Sequence, residues 1–460
     1  MLSVLPGCHL RFNQPMVSAE LEDQLLLLAK LLDLARSPRA SIAWVIALGV
    51  YLALELFRIK MGWPPMPSAD AGINLDNSIT ILRHGHYPPA GSVSEPGFLF
   101  PYPPPAAVVL GWLGMLLGPA RFMIAWVALM IAGFFTTVRA PLAGNRPAER
   151  RLWPLAAVIA LVATDSPVRW DLCNANSNLI YVGLALLGFA LLQRRPALAG
   201  VLVGFSLSLK LYSCLLVLWL ALHRPRAALC GAVAASLILW LVLPLSAFGI
   251  RGAAQVYYSW LQQVQGVARL SAAIAASDPP GAPALITLRH AAETLFGTDR
   301  TATVQTLVLA LQASWFGLLS FYAWRGLSGG RSEAPSRAAL ADWTILMLAP
   351  LPMSPWLEPH HLVPMIPGQI LCALLALDKH APARDRKLSG VLLASLFLSQ
   401  FIGLPFAMRG FLVFGRAAAL VLSLAILRPS LDKRPMPSMG SGGQGGPGLG
   451  ALENMDRASA

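Results

Sequence analysis

Long apolar runs follow one another along almost the whole chain, separated by short basic clusters, and this alternation limits the possible folds more than any other feature. The runs cover 41–57, 103–118, 122–138, 152–163, 179–192, 197–209, 212–222, 227–248, 303–324, 340–351, 362–377, 388–404 and 411–427. A helix that crosses a bilayer needs about 20 apolar residues, and several of these runs are shorter or joined by only a few residues, so about 11–13 crossings are expected. Only 12% of the 460 residues are charged and 56% are hydrophobic. A water-solvated globule of this size carries about 25% charged residues. Too few polar groups exist here to cover such a surface, so lipid must solvate the chain. The expected fold class is all-α, a polytopic membrane bundle.

The net charge of +13 does not point to nucleic acid. Its basic residues sit between apolar runs, as cytoplasmic loops facing anionic headgroups require, and no basic stripe with interleaved aromatics is present. Arg194 and Arg195, Arg224 and Arg226, Arg325, Arg331 and Arg337, and the Lys379–Lys387 cluster are assigned to the cytoplasm by the positive-inside rule. Alternate loops, 59–101, 165–178, 249–302 and 354–361, then face outward. One parity conflict remains: 63–101 reads as external and 139–151 as cytoplasmic, yet two apolar runs lie between them. The run 103–118, entered through prolines, is the weaker, re-entrant candidate. Residues 1–40 read as a cytoplasmic amphipathic segment, 41–430 as the transmembrane domain, and 431–460 as a disordered tail rich in Gly, Ser and Pro. Residues 1–40 are too polar for the apolar core of a signal peptide. The five cysteines (Cys8, Cys173, Cys214, Cys230 and Cys372) are widely spaced, with neither a disulfide framework nor a CxxC metal site.

Polar residues beside apolar spans carry the chemical information in such a chain. Four clusters stand out. In the first, Ser68 and Asp70 open a helix and Gly85 stops it, after about four turns along the membrane surface. Asp70 and Asp76 are six residues apart, about 600° of rotation, so they share no helical face and do not form an acid/base pair there. Capping alone explains Asp70 and solvation alone explains Asp76, as well as a catalytic role does. The second cluster, Phe98-Leu-Phe-Pro-Tyr-Pro-Pro-Pro105, is a rigid extended lead-in to the next span. In the third, 169–178, three asparagines occupy alternate positions at a membrane boundary, where they cap a helix or bind sugar hydroxyls or a phosphate. Lys210 lies between two short apolar halves, at the membrane edge; it snorkels there or pairs with an anionic headgroup. The fourth, 353–364, holds His360 and His361 after Glu358. No HExxH or Cys/His spacing supports metal, and donation to a phosphate or sugar hydroxyl suits the pair better.

These clusters, in this order, resemble glycosyltransferase family 87, the polytopic group that includes polyprenyl-phosphomannose-dependent mannosyltransferases. The resemblance rests on Asp70 to Gly85, Phe100-Pro-Tyr-Pro-Pro104, Ala175-Asn-Ser-Asn-Leu-Ile180, Lys210 and Ser354-Pro-Trp-Leu-Glu-Pro-His-His361, and spans roughly residues 40–405. Ala175 departs from the pattern, which has Gly there, and Glu358 and Pro359 replace part of the late segment. The resemblance implies a GT-C type bundle with helices in its external loops, located in the cell (inner) membrane with its active site on the external, periplasmic face. It implies transfer of a sugar, with mannose favoured, from a polyprenyl-phosphate donor to a glycan or glycolipid acceptor, with inversion and no cofactor or metal. A carboxylate in the first external loop would be the base, with Asp70 preferred and Asp76 the competitor. Lys210, a histidine at 360 or 361, and Arg169 would stabilise the leaving phosphate. Asn176 and Asn178 would orient hydroxyls or phosphate, with Tyr102 of the proline-rich lead-in beside them. The rival reading is a transporter or flippase of a lipid-linked or amphipathic substrate, which calls for internal repeats and mid-span charges; the sequence has no convincing repeat, and its polar clusters sit at one edge.

Overall fold

In the computed structural model, residues 38–60, 70–87, 102–142, 147–163, 165–223, 226–277, 288–297, 299–327, 336–353, 359–402 and 409–432 are described, and no strand occurs among them. The expectations for 1–37 and 433–460, and the motif residues 98–101 and 354–358, lie outside the described residues. The α-helices, in chain order, are α1 (Pro38–Lys60), α2 (Asp70–His84), α3 (Pro104–Arg139), α4 (Pro147–Ala163), α5 (Asp165–Cys173), α6 (Asn178–Leu191), α7 (Pro196–Leu209) and α8 (Cys214–His223). They continue as α9 (Arg226–Leu237), α10 (Leu243–Ser277), α11 (Leu288–Phe296), α12 (Thr301–Leu327), α13 (Arg337–Leu348), α14 (Met365–Leu377), α15 (Ala383–Leu398) and α16 (Arg409–Asp432).

Among the described residues, four stretches are long and apolar enough to cross a membrane alone: Pro104–Arg139, Arg226–Gly266, Thr301–Trp324 and Gly410–Leu431. A bent pair, Leu152–Ala163 with Pro167–Cys173, makes a fifth if counted together. The chain is therefore an all-α, multi-pass membrane protein. Fewer helices qualify singly than the 11–13 expected crossings because many apolar runs are short. A 14-residue helix such as α6 or α7 is about 21 Å long, against a hydrocarbon core of about 30 Å. Such helices leave their ends, and the polar residues there, inside the depth of the membrane domain.

The runs expected at 103–118 and 122–138 turn out to be one helical element, α3, broken at Gly118. Gly118 has φ +73°, followed by Pro119, a pairing that ends one helix and restarts another because only glycine adopts that backbone cheaply. Pro104 and Trp126 would be about 33 Å apart along a straight helix. Yet Tyr102, just before Pro104, and Trp126 both reach the same turn at 175–177, so the bend draws the two halves together. The first half packs on α2, where a Cβ on Gly111 would meet Leu82 Cδ1 at 2.5 Å. The second half packs on α6: a Cβ on Gly183 would lie 2.5 Å from Gly133 Cα. Backbone therefore meets backbone, as small residues permit between membrane helices, and this contact fixes the start of α6.

The run 227–248 is also helical, passing through a π-turn at Ile238–Val242 into α10. At Gly249 (φ +67°) the helix breaks and restarts. Beyond the break, α10 crosses the end of α2: the Tyr87 backbone N–H donates to Ser259 Oγ at 2.9 Å.

Candidate functional site

The turn between α5 and α6 is the centre of a buried polar cluster. Asp171, in the last turn of α5, is fully buried. Its Oδ1 accepts from the Asn178 backbone N–H at 3.3 Å and from Asn178 Nδ2 at 2.7 Å, and its Oδ2 accepts from the Leu179 N–H at 2.9 Å. An anion at the start of α6 satisfies N–H groups that have no partner within the helix, and it lies at the positive end of the helix dipole. The turn itself is tight. The Asn176 N–H donates to the Asp171 carbonyl at 2.9 Å, and Ala175 takes φ +48°. Its carbonyl accepts from Trp126 Nε1 at 2.7 Å, which ties the turn to α3.

Asn178 then reaches Lys210. The lysine ends α7 in an extended conformation (φ −144°, ψ 129°), and its Nζ donates to Asn178 Oδ1 at 2.8 Å. The same ammonium lies 5.9 Å from the centre of the Tyr181 ring, one helical turn into α6, a cation–π distance. Asn176 points the other way. Its Oδ1 accepts from the Ser177 N–H at 2.8 Å and from Asn178 Nδ2 at 3.2 Å, and its Nδ2 lies 3.2 Å from His360 Nε2. Tyr102 closes one side, with its hydroxyl 2.8 Å from Ser177 Oγ and 3.5 Å from Asn176 Oδ1. Tyr87 holds Tyr102 in turn by donating to its carbonyl at 2.9 Å.

His360 and His361 are buried in a short 3-10 turn, Pro359–Leu362, their rings 4.6 Å apart. His361 sits edge-on to Tyr212 at 6.0 Å. Burial pushes both imidazoles well below the usual histidine range, and the charge of Lys210 adds to the shift. Both rings are therefore neutral near pH 7, so each offers one N–H donor and one acceptor nitrogen. The positive charge of Lys210 is then set beside the histidine pair. Among the described residues no group of three His, Cys, Asp or Glu side chains converges as a metal site would require. The arrangement suits an anionic, hydroxyl-bearing ligand: an ammonium for charge, and amides, hydroxyls and imidazoles for orientation.

Six residues singled out from the sequence thus come together: Tyr102, Asn176, Asn178, Lys210, His360 and His361. Arg169 is half-buried on α5, two residues before Asp171. Asp70 opens α2 and Gly85 (φ +70°) ends it, as the sequence predicts. Asp76 is exposed on α2, and the Asp70 side chain lies outside the described atoms. Sequence reading left Asp171, Ser177 and Tyr181 without roles. Asp171 carried the clearest missed signal, an acid between apolar neighbours at a membrane boundary, where a charge must find partners. Tyr181 carried none, because a tyrosine inside an apolar helix reads as core. Its hydroxyl is buried without a hydrogen-bond partner among the described residues.

The family model for glycosyltransferase family 87 matches residues 100–355, more than half of the chain. The chain is also 26% identical, over 296 residues, to a polyprenol-phosphate-mannose-dependent alpha-(1-2)-phosphatidylinositol mannoside mannosyltransferase of Mycolicibacterium smegmatis. That match covers 60% of this chain and 62% of the relative, so the chain spans less than two thirds of the relative's length. No solved structure matches the chain.

Proposed function

The chain belongs to glycosyltransferase family 87, and from that premise we propose that it is a membrane glycosyltransferase using a polyprenyl-phosphate sugar as donor. The sugar proposed is mannose and the acceptor a glycolipid or glycan at the external face of the cell membrane. One observation carries this reading: Lys210, the Asn176–Asn178 amides and His360, from separate stretches of the chain, meet in one buried cluster at the ends of short apolar helices. A lipid phosphate at the membrane edge needs one fixed cation, and the attached sugar needs oriented hydrogen-bonding groups.

In the proposed reaction an acceptor hydroxyl oxygen attacks the anomeric carbon from the face opposite the phosphate. The bond from that carbon to the phosphate oxygen breaks, and the electron pair leaves with the polyprenyl phosphate. The acceptor proton passes to a carboxylate, proposed as Asp70 at the start of α2. Asp76, exposed on that helix, is the weaker candidate. The departing phosphate is a good leaving group and needs charge stabilisation more than a proton, which Lys210 supplies. The neutral histidines donate to the phosphate or to a sugar hydroxyl.

The test is transfer by the purified protein in proteoliposomes, from radiolabelled polyprenyl phosphomannose to a phosphatidylinositol mannoside. Product is expected, and Asp70→Asn is expected to reduce it by about 10²–10⁴-fold, the share of a general base. Full activity in both Asp70→Asn and Asp76→Asn would remove the base assignment. Absence of transfer from every polyprenyl-phosphate sugar, with lipid-linked sugar crossing the bilayer, would replace the enzyme by a flippase.

A further inference from the structure

We propose that Arg416 and Ser399 form a binding site for the phosphate of an anionic phospholipid, at the rim between α15 and α16. The inference does not depend on the transferase reading. α16 carries the apolar stretch Gly410–Leu431, and Arg416 stands six residues into it, about 9 Å along the helix axis. Arginine keeps its charge in proteins, and a charge at that depth in a membrane helix needs a partner. The protein offers it a neutral one. Arg416 Nε donates to Ser399 Oγ at 2.8 Å, and the Ser399 hydroxyl gives its own proton to the Leu396 carbonyl at 2.6 Å. Neither terminal nitrogen of the guanidinium bonds a described group, and no acidic side chain among the described residues pairs with it. The intervening stretch of sequence, 403–408, contains no acid either.

The surroundings favour a lipid over a dissolved anion. Ser399 opens the short turn Ser399–Phe401 that follows α15, and Leu398, Phe401 and Ile402 beside it are exposed. On a membrane bundle such side chains face acyl chains. The turn is fixed in place: Gln400 Nε2 donates to the Val162 carbonyl of α4 at 2.7 Å, and the Phe397 and Phe401 rings meet edge-on at 5.1 Å. Helical side chains lean toward the start of their helix, so the Arg416 guanidinium is directed toward the Gly410 end of the span, where headgroups begin. Snorkelling alone brings it there. What snorkelling does not supply is the Ser399 bond, which holds the guanidinium by Nε and leaves its two terminal nitrogens as a fork for phosphate oxygens. A cation with no acidic partner favours a headgroup of net negative charge over a zwitterion, whose ammonium already offsets its phosphate.

The test is photolabelling of the detergent-solubilised full chain with a phosphatidylglycerol that carries a diazirine near its acyl carbonyl, read by peptide mass spectrometry. Label is expected on the segment 398–402, and unlabelled phosphatidylglycerol should compete it away. In Arg416→Gln the label there is expected to fall about tenfold, the share of a hydrogen bond to a charged group. Diacylglycerol with the same chains, phosphatidylcholine and inorganic phosphate should compete poorly. Wild-type labelling in Arg416→Gln overturns the proposal. Equal competition by phosphatidylcholine would reduce the site to an ordinary headgroup contact, and equal competition by inorganic phosphate would make it a site for a dissolved anion. Competition by polyprenyl phosphate at lower concentration than by phosphatidylglycerol would assign it to the sugar donor; each of these results overturns the phospholipid assignment. Should Arg416→Gln not fold, Arg416→Lys keeps the charge and loses the fork, and Ser399→Ala removes the bond to Nε. Each is expected to lower labelling about threefold, and wild-type labelling in both overturns the proposal equally. Sugar transfer plays no part in the readout, so absent transfer with the labelling difference intact would be a failure of the transferase reading alone.

Discussion

Two of the polar networks among the described residues are built on different principles. The first surrounds Asp171 and ends in Lys210, Tyr181 and the histidine pair. The second joins Arg428 of α16, Asp342 of α13, Tyr322 of α12 and Trp219 of α8. There the Arg428 guanidinium is paired with Asp342, the Tyr322 hydroxyl donates to Asp342 Oδ1 at 2.5 Å, and Trp219 Nε1 donates to Asp342 Oδ2 at 3.2 Å. Arg428 also lies over the Tyr322 ring at 5.3 Å. Every charge in this second network meets its opposite, and four helices are tied to one carboxylate. The Asp171 network differs: its carboxylate accepts from helix-start amides, its lysine donates to the Asn178 amide, and the Tyr181 hydroxyl has no hydrogen-bond partner among the described residues. A network that serves only the fold can close on itself, whereas one that binds a ligand must keep groups available.

The largest expected effect breaks the second network. Arg428→Ala leaves the Asp342 carboxylate without its counter-charge and should cost about 3–5 kcal/mol, as for other interrupted buried pairs. The measurement is thermal unfolding in detergent, with any protein that stays folded retaining the KM of wild type. Lys210→Ala should give the reverse pattern. Transfer is expected to fall about 10²-fold or more, as when a group stabilising developing charge is removed, with little change in melting temperature. If Lys210→Ala unfolds the protein and Arg428→Ala abolishes turnover in folded protein, the functional roles of the two networks are exchanged.

Acid should distinguish them as well. The His360 and His361 pKa values lie below the usual 6.5 because of burial and the Lys210 charge. As pH falls below about 6.5, these two side chains take up protons in the unfolded chain that they refuse in the folded one, so their share of the stability declines with falling pH in that window. Between pH 7 and pH 5 the slope of melting temperature against pH is expected to be more positive in wild type than in the double variant His360→Gln with His361→Gln. Arg428→Lys should leave the slope unchanged. Equal slopes in wild type and the double variant would mean that the imidazoles are not buried as neutral groups.

A smaller effect is expected at Tyr181. Tyr181→Phe removes a hydroxyl that bonds no described group, so folding stability should be unchanged or slightly raised, since a buried unpaired polar group costs about 1–3 kcal/mol. If a ligand oxygen occupies that space, KM for the polyprenyl-phosphate donor should rise about threefold to tenfold, equivalent to one hydrogen bond. The matched control is Tyr322→Phe, which should lower stability and leave KM alone.

The two networks were also unequally legible. Apolar run lengths, positive-inside clusters and glycine or proline breaks announce a helical membrane protein, and the break at Gly249 falls one residue after the expected run. Tyr102, the asparagines, Lys210 and the histidines could be picked out because polar groups beside apolar spans are costly and need a reason. Arg428 and Asp342 satisfy the same criterion, yet they lie 86 residues apart in sequence, and nothing local shows that they meet. Asp171 stood out as an acid between apolar neighbours, but its partners could not be read. Its partners are mostly backbone N–H groups, which every residue has, so no spacing of side chains marks it. Continuity of 103–118 with 122–138 depends on the geometry at Gly118, which charge counting cannot supply.

The smallest expected effect concerns the turn that holds the first network together. Ala175 has φ +48°, a left-handed backbone that costs a residue with a Cβ about 1–2 kcal/mol, at the position where the family pattern carries glycine. The surrounding bonds account for its persistence: Trp126 Nε1 holds the Ala175 carbonyl, and the Asp171 carbonyl holds the Asn176 N–H. Ala175→Gly should relieve the strain but free the unfolded chain, leaving a net gain of at most about 1 kcal/mol. A melting temperature raised by a few degrees, with unchanged transfer, is the expected result. The second network has no such strained backbone to relieve, because Ala338 and Asp342 lie in or beside ordinary turns of α13. Loss of stability in Ala175→Gly would mean that the turn does not need a left-handed residue, and that the Asp171 carboxylate reaches the start of α6 by another path.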